Sequence, residues 1–139
     1  MSDPRGFRNN NPGNIRLSKQ LWQGEVPSQD KAFKRFESLE LGVRAAALLV
    51  LNYQRLYKLD TVEKIINRWA PPNENDTAAY VAGVARACGV TPNEKIEVSR
   101  HLVPMMKSIF RHENGRRLDG TDWVSQEALE RGCFMAVNR

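Results

Sequence analysis

The fold of this chain is constrained most strongly by its helix start and stop signals. They recur along nearly the whole sequence after residue 37. Ser38 is a favourable N-cap, and it predicts a long helix from about Leu39 to Tyr57. Side chains at near-helical spacing mark one face of this helix: Leu41, Ala45, Leu48, Leu49, Asn52 and Leu56. A helix of this length predicts a domain whose core is built mainly from helices.

Four shorter helices follow, each bounded by a capping residue or a glycine. The first opens at the capping box Asp60-Thr61-Val62-Glu63 and runs to Trp69, and the others are expected over Thr77 to Cys88, about Val103 to Asn114, and about Trp123 to Arg131. The boundary residues are Asp76, Gly89, Gly115 and Gly132. A second box, Thr91-Pro92-Asn93-Glu94, predicts a short turn or helix between the second and third of these.

The segment before Ser38 has a different character, with turn residues and short apolar stretches. Asn11-Pro12-Gly13-Asn14 reads as a turn, because Pro fixes φ while Gly and Asn accept positive φ. Strand candidates are Ile15 to Leu17, Leu21 to Gln23 and Ala32 to Phe36. The prediction is therefore one α+β domain over residues 1–139, mainly helical, with a small N-terminal β region.

The composition bears on four properties of the protein: nucleic-acid binding, membrane spanning, secretion and metal binding. The net charge of +5 favours acidic partners, but the basic residues form no nucleic-acid-type block. The longest apolar run, Ala45 to Leu51, is too short to span a bilayer, which needs about 20 residues. No signal peptide is visible at the N-terminus, so synthesis in a host cytoplasm is expected. The two cysteines and two histidines, Cys88, Cys133, His101 and His112, predict no metal site and no cofactor.

Glu113 is the most informative acidic residue. At about 100° per residue, Glu113 lies within about 20° of Leu102 on a helical wheel. Met106, Ile109 and Phe110 share this side, whereas Lys107 and Arg111 point roughly the other way. A core-facing carboxyl at the last turn of a helix is expected to have a raised pKa, as a general acid for glycoside cleavage requires. The alternative is that Glu113 reaches solvent or pairs with Arg116 or Arg117.

Other polar and aromatic residues extend this hypothesis. Neutral amides suit acetamido sugars, because they donate and accept without a charge to desolvate. The proposed substrate-binding residues at this point are Asn10, Asn11, Asn14, Trp22 and Tyr80, with Trp69 and Trp123 expected in the core. The alternatives are self-bonded turn asparagines and a core tyrosine. Candidates for a second carboxylate are Glu25 and Glu74, because Asp30 and Asp76 are explained as turn and N-cap residues.

Several strings carry a resemblance to a known family. RGFRNNNPGNIR, LWQGE, DKAFKRFESLELGVRAAALLVLNY, IINRWAPPNENDTAAYVAGVARACGV and HENG resemble a group of small phage and prophage proteins. That group comprises virion structural proteins and lysozyme-like peptidoglycan hydrolases, and the resemblance runs from Arg5 to about Gly115.

A weaker resemblance links the N-terminal segment to bacterial wall glucosaminidases and lysozyme-like enzymes. In those enzymes a Glu-bearing helix precedes an Asn-rich turn, a Trp-x-Gly β region and a long Ala/Leu helix. Here Asn10 to Ile15, Trp22 to Gly24 and Phe33 to Ser38 follow the same order, but the Glu helix lies near the other end. This implies a circularly permuted lysozyme-like fold in which Glu113 packs beside the Asn9 to Ile15 turn. Asn75, Thr77 and Tyr80 resemble the polar loop and later helical Tyr of lysozyme-like transglycosylases, which implies that they bind substrate.

The resemblance implies a monomeric endolysin or virion enzyme that cleaves peptidoglycan as a lytic transglycosylase or muramidase. It would act in the periplasm, reached through a phage-made membrane lesion or inside a virion. One dominant carboxyl, Glu113, suits a substrate that supplies its own nucleophile. The alternatives are a non-catalytic virion protein that binds wall glycan and, from charge alone, a nucleic-acid-binding module.

Overall fold

The computed structural model describes residues 3–139, and within them the chain is mainly helical with a small sheet. The helices are α1 (Arg5–Arg8), α2 (Leu39–Tyr57), α3 (Val62–Trp69), α4 (Thr77–Cys88), α5 (Leu102–Asn114) and α6 (Gln126–Val137), with a 3₁₀ turn at Val98–Arg100. Strands β1 (Glu25–Val26) and β2 (Arg35–Phe36) form an antiparallel pair. The predicted α+β class and its helical weight are confirmed.

Helix α2 is the centre of the fold. It begins after Ser38, whose side chain accepts from the Leu41 amide, and it ends at Tyr57, as predicted. Its buried face is broader than the predicted stripe, because α6, α3, α5, β2 and the 3₁₀ turn all pack on it. Val43, Ala46 and Val50 are fully buried, whereas Leu56 is exposed.

Helix α6 differs from the prediction. It begins after Ser125 and continues through Gly132 to Val137. Gly132 does not end the helix because it lies at the crossing with α2, where an added Cβ would collide with Val43 and approach the Glu40 carbonyl. The glycine here is needed for close packing of two helices and not for a turn.

The other helix boundaries follow their capping residues. Asp76 and Gly89 bound α4 as predicted, and Gly115 follows α5. The cap of α3 is Thr61, which accepts from the Lys64 amide, so the predicted box beginning at Asp60 is shifted by one residue. In the second box the Glu94 carboxylate accepts from the Thr91 amide, and the segment forms a turn, one of the two predicted structures.

The N-terminal region contains less strand than predicted. Only Arg35–Phe36 of the third candidate is strand, and Arg16 forms an isolated bridge with Phe33. Leu21 to Gln23 forms no strand. Side chains replace much of the ladder: the Asn11 amide donates to the carbonyls of Ile15 and Lys34, at 3.0 and 2.9 Å.

The end of helix α5 contacts the N-terminal Asn-rich turn. The Asn114 side chain donates to the carbonyl of Pro12 at 2.8 Å, so the end of α5 is fixed against the Asn-rich turn. Leu102, Met106 and Ile109 are buried as the helical wheel predicts. The contact between α5 and the N-terminal turn, inferred from the permuted order of the motifs, is present.

No helix among residues 3–139 combines the length and the apolar character needed to cross a membrane. Cys88 and Cys133 are both free thiols, the second buried and the first partly so.

Both thiols are expected to resist alkylation at pH 8 in the folded protein. Burial raises the pKa of Cys88 to about 11 and that of Cys133 to about 12, so the reactive thiolate is scarce at this pH. Labelling with iodoacetamide, read by mass spectrometry, should be slow without denaturant and complete in guanidinium chloride. Rapid labelling of the folded protein at pH 8 would contradict this burial.

Candidate functional site

A cleft of about 260 Å³ runs between the N-terminal turn and the segment that follows α3, with α2 beneath it. The turn contributes Gly13, Asn14, Ile15 and Arg16, with Phe33 beside them, and the opposite side is formed by Trp69, Ala70, Pro71, Glu74 and Asn75. Leu49 and Tyr53 of α2 and Glu113 of α5 complete the lining.

The Glu113 carboxyl is held by two neutral donors from distant parts of the chain. The Asn14 side chain donates to Oε1 at 3.1 Å, and the Tyr80 hydroxyl donates to Oε2 at 2.8 Å. The side chain is half-buried and lines the cleft. Its position and orientation are therefore determined by α4, α5 and the N-terminal turn together.

Asn14 reaches Glu113 because of its backbone conformation. Its φ is 50°, in the left-handed region that asparagine tolerates better than most residues. Gly13 beside it packs against α2 and Trp69, where an added Cβ would lie 3.0 Å from Trp69 Cη2. Asn11 closes the turn by accepting from the Ile15 amide at 3.0 Å. The Asn-rich string thus builds a rigid turn that presents one amide, that of Asn14, to the cleft.

The position of Tyr80 is fixed through both its ring and its hydroxyl. Its ring stacks on His112, with centroids 4.3 Å apart and planes 13° from parallel. Burial, and secondly the charge of Glu113, raise the pKa of Tyr80 far above its usual range. The hydroxyl therefore remains a proton-bearing donor to the Glu113 carboxyl across the physiological pH range.

Among residues 3–139, no cation pairs with the Glu113 carboxylate. In particular, it forms no salt bridge with Arg116 or Arg117, the two partners that the sequence left open. Arg117 instead lies over the ring of Trp123, 4.3 Å from its centroid. The alternative in which Glu113 is part of a surface ion pair is wrong.

Five of the ten sequence-predicted residues are brought to one place. Glu113 and Asn14 are hydrogen-bonded in the cleft, Tyr80 is bonded to Glu113, and Asn75 lines the opposite side. Glu74, a candidate second carboxylate, also lines the cleft from its exposed loop. The remaining predicted residues are elsewhere: Asn10, Asn11, Trp22, Glu25 and Thr77.

Each of these five has a structural task that removes it from the candidate site. The Asn10 amide donates to the Phe36 carbonyl, and Asn11 is fully buried within its turn. The Thr77 hydroxyl is buried and donates to the Ala70 carbonyl at 2.6 Å. Trp22 packs against the core instead of lining the cleft. Glu25 pairs with buried Lys34 at 2.9 Å, so its carboxylate is already neutralised.

Sequence reasoning missed most of the other lining residues, including Arg16, Phe33, Leu49, Tyr53 and Trp69. Trp69 was expected in the core, yet it is only partly buried. A signal was available for it, because Trp69 immediately precedes the polar Pro-rich loop that forms the cleft wall. Tyr53 carried none, since its spacing is that of an ordinary core residue.

Comparison with known proteins gives one relative with a clear alignment. The chain is 41% identical over 115 residues to Protein P5 of Pseudoalteromonas phage PM2, which covers 80% of this chain and 71% of that protein. The chain belongs to the family of Protein P5. The resemblance to phage proteins is thereby confirmed, and no family model matches the sequence.

The cleft contains groups that are suited to acid–base chemistry. A carboxyl at the cleft end is positioned by neutral donors, and the aromatic rings of Tyr53 and Trp69 line the same space. Amide, aromatic and carboxyl groups together suit a neutral amino-sugar chain. Glu74 supplies a second carboxylate, but from an exposed loop.

Tyr80→Phe is expected to lower any activity that depends on Glu113 by about 10- to 100-fold, because a hydrogen bond to a charged group contributes about 1.5–3 kcal/mol. The phenyl ring keeps the stack on His112, so folding is retained. The loss should appear in kcat more than in KM. Tyr57→Phe, on an exposed tyrosine, is the matched control. An unchanged kcat for Tyr80→Phe would show that this hydroxyl does not position the carboxyl.

Proposed function

We propose that this protein cleaves the glycan strand of peptidoglycan, using Glu113 as a single general acid and base in a circularly permuted lysozyme-like fold. The observation that carries the proposal is the half-buried Glu113 carboxyl at the cleft end, bonded by Asn14 and Tyr80 and free of any salt bridge among residues 3–139. Asn14 of the N-terminal turn meets this carboxyl of α5, as a permuted site requires.

The reaction proceeds in two proton transfers. Protonated Glu113 donates its proton to the glycosidic oxygen while the C1–O bond breaks, and charge develops on the sugar ring. The resulting carboxylate then accepts the proton of the muramyl O6 hydroxyl as O6 bonds to C1, which closes a 1,6-anhydro ring. In a muramidase, water supplies the attacking oxygen and the same carboxylate accepts its proton.

The cleft residues hold the substrate. Asn75 offers its amide to an N-acetyl group, whereas the Asn14 amide is used to position Glu113. Trp69 lines the cleft and offers its ring for stacking on a sugar, which Trp22 cannot do from outside the cleft. The Tyr80 hydroxyl and the carboxylate support the positive charge that develops on the sugar. The net charge of +5 favours approach to an anionic wall.

The protein would act on the wall as a monomer in the periplasm. It would reach the wall through a phage-made membrane lesion or as part of a virion. Both routes fit a member of a bacteriophage protein family.

The test is digestion of purified Gram-negative sacculi, followed by mass spectrometry of the soluble products. The proposal expects release of muropeptides, with 1,6-anhydro ends for a lytic transglycosylase and reducing ends for a muramidase. Peptide-bond products without glycan cleavage, or no release at all, would contradict it.

A second candidate function is a non-catalytic virion protein that binds wall glycan. The exposed position of Glu74 favours it, because the cleft then offers Glu113 no firmly placed second carboxylate. This alternative expects the protein to sediment with sacculi while releasing nothing. The two functions are therefore separated by measuring binding and product release in the same sample.

A further inference from the structure

A second depression, of about 630 Å³, lies between α4 and α5. We name it the basic groove, and its defining residues are Ala79, Ala82, Gly83, Arg86, Lys107 and His112. The four α4 residues lie at spacings of three, four and seven from Ala79, so they form one face of the helix. Because Ala79 and Ala82 are exposed and have small side chains, a ligand backbone can approach this helix closely beside them.

The groove has an excess of positive charge. Arg86 and Lys107 are both exposed. Arg111 also lines it, but both its Nε and Nη2 donate to Asp122, at 2.8 and 2.9 Å. No acidic side chain lines the groove within residues 3–139. Among residues 3–139, neither Arg86 nor Lys107 forms a salt bridge, and Lys107 donates only to the neutral Gln126 side chain at 3.3 Å, so both charges remain to pair with an anionic ligand.

The groove and the cleft share the last turn of α5. His112 lies in the groove, and its neighbour Glu113 lies in the cleft. An added Cβ at Gly83 would lie 2.6 Å from His112 Nε2, so the glycine allows the imidazole to lie against α4 and stack on Tyr80. Tyr80 in turn donates to Glu113. A molecule that occupies both depressions would contact α5 at consecutive residues.

We propose that the basic groove binds the acidic peptide stem of peptidoglycan while the attached glycan strand lies in the cleft, an inference that rests on the proposed function. A stem of four residues in extended form spans about 13 Å, and its carboxylates complement the two cations. The Arg86 guanidinium suits bidentate pairing with a carboxylate, and Lys107 acts as a mobile point charge. The groove thereby favours peptide-bearing glycan over bare glycan.

The first test measures binding and needs no cleavage. A fluorescein-labelled stem tetrapeptide, L-Ala–D-Glu–diaminopimelate–D-Ala, is titrated with the protein at physiological salt and followed by anisotropy. The double variant Arg86→Gln/Lys107→Gln should bind about ten-fold more weakly, since two charge-assisted contacts are lost. Lys95→Gln/Arg100→Gln removes the same charge from exposed positions outside the groove and should bind as wild type does.

Several results would overturn the inference. One is equal wild-type affinity for the tetrapeptide and for the same peptide with its carboxylates amidated. Another is unchanged binding by the groove variant, and a third is binding of a DNA duplex through Arg86 and Lys107 without binding of the tetrapeptide.

The second test measures cleavage of two substrates. On intact sacculi the groove variant should be several-fold slower than wild type, whereas on glycan strands stripped of peptide by an amidase the two should be equal. Equal loss on both substrates would contradict a peptide-binding role. If wild type cleaves neither substrate, the proposed glycan cleavage fails, and the titration still decides whether the groove binds the stem.

Discussion

Glu113→Gln is expected to reduce glycan cleavage by about 100- to 10,000-fold, the range that a general acid–base group contributes. The amide cannot deliver a proton to the glycosidic oxygen or accept one from the attacking hydroxyl. Its carbonyl oxygen still accepts from Tyr80 or Asn14, so the side chain keeps its place. Release of soluble muropeptides from sacculi should fall to near background, while sedimentation with sacculi and the melting temperature change little.

Glu63→Gln provides the matched control, because Glu63 lies on the exposed side of α3 and undergoes the same chemical change. Its activity should equal that of wild type. Equal lysis by wild type and Glu113→Gln would remove Glu113 as the acid. Loss of activity together with a large fall in melting temperature would assign Glu113 a structural role instead.

The helical part of the fold is predictable because its signals are local. Ser38 and Asp76 cap α2 and α4 with hydrogen bonds to amides three residues ahead, and such geometry depends only on neighbours in sequence. Gly132 shows the limit of local reasoning. A glycine that ends a helix and one that lets two helices touch look alike in sequence, and only the position of Val43 distinguishes them.

In the candidate site, too, some residues are predictable from local spacing and others depend on contacts between distant parts of the chain. Glu113 was identifiable because helical spacing aligned it with buried Ile109, and its meeting with the Asn-rich turn followed from the order of motifs. Which asparagine reaches the cleft was not predictable. Asn11 and Asn14 are both amides in one turn, but the first bonds inward to Lys34 and the second outward to Glu113.

Glu25 illustrates the same point for the second carboxylate. The sequence made Glu25 a candidate second carboxylate, yet the structure pairs it with a lysine that is almost completely buried. Lys34 is 1% exposed, and its ammonium donates to both Glu25 oxygens at 2.9 Å and to the Ser18 and Gln20 carbonyls at 3.2 and 2.7 Å. Lys34 thus holds the β region together, because its three N–H donors are shared among two backbone carbonyls and the Glu25 carboxylate.

Lys34→Met is therefore expected to destabilise the protein by about 3–5 kcal/mol, since removing one partner of a buried pair leaves the other charge uncompensated. The free energy of unfolding, from urea titration followed by circular dichroism, measures the loss. Lys64→Met removes a lysine whose pair with Asp60 is largely exposed, and it should cost no more than about 1 kcal/mol. Adding Glu25→Gln to Lys34→Met should recover part of the loss, because the unpaired carboxylate is removed.

The destabilisation caused by Lys34→Met should also affect the cleft around Glu113. The Lys34 backbone accepts from Asn11 and donates to the Ile15 carbonyl, so the turn that carries Asn14 is tied directly to this residue. Loosening the Lys34 segment should weaken the hold of Asn14 on Glu113 and lower cleavage near the melting temperature more than at low temperature. If Lys34→Met costs no more stability than Lys64→Met, the buried ammonium is not what holds the N-terminal region in place.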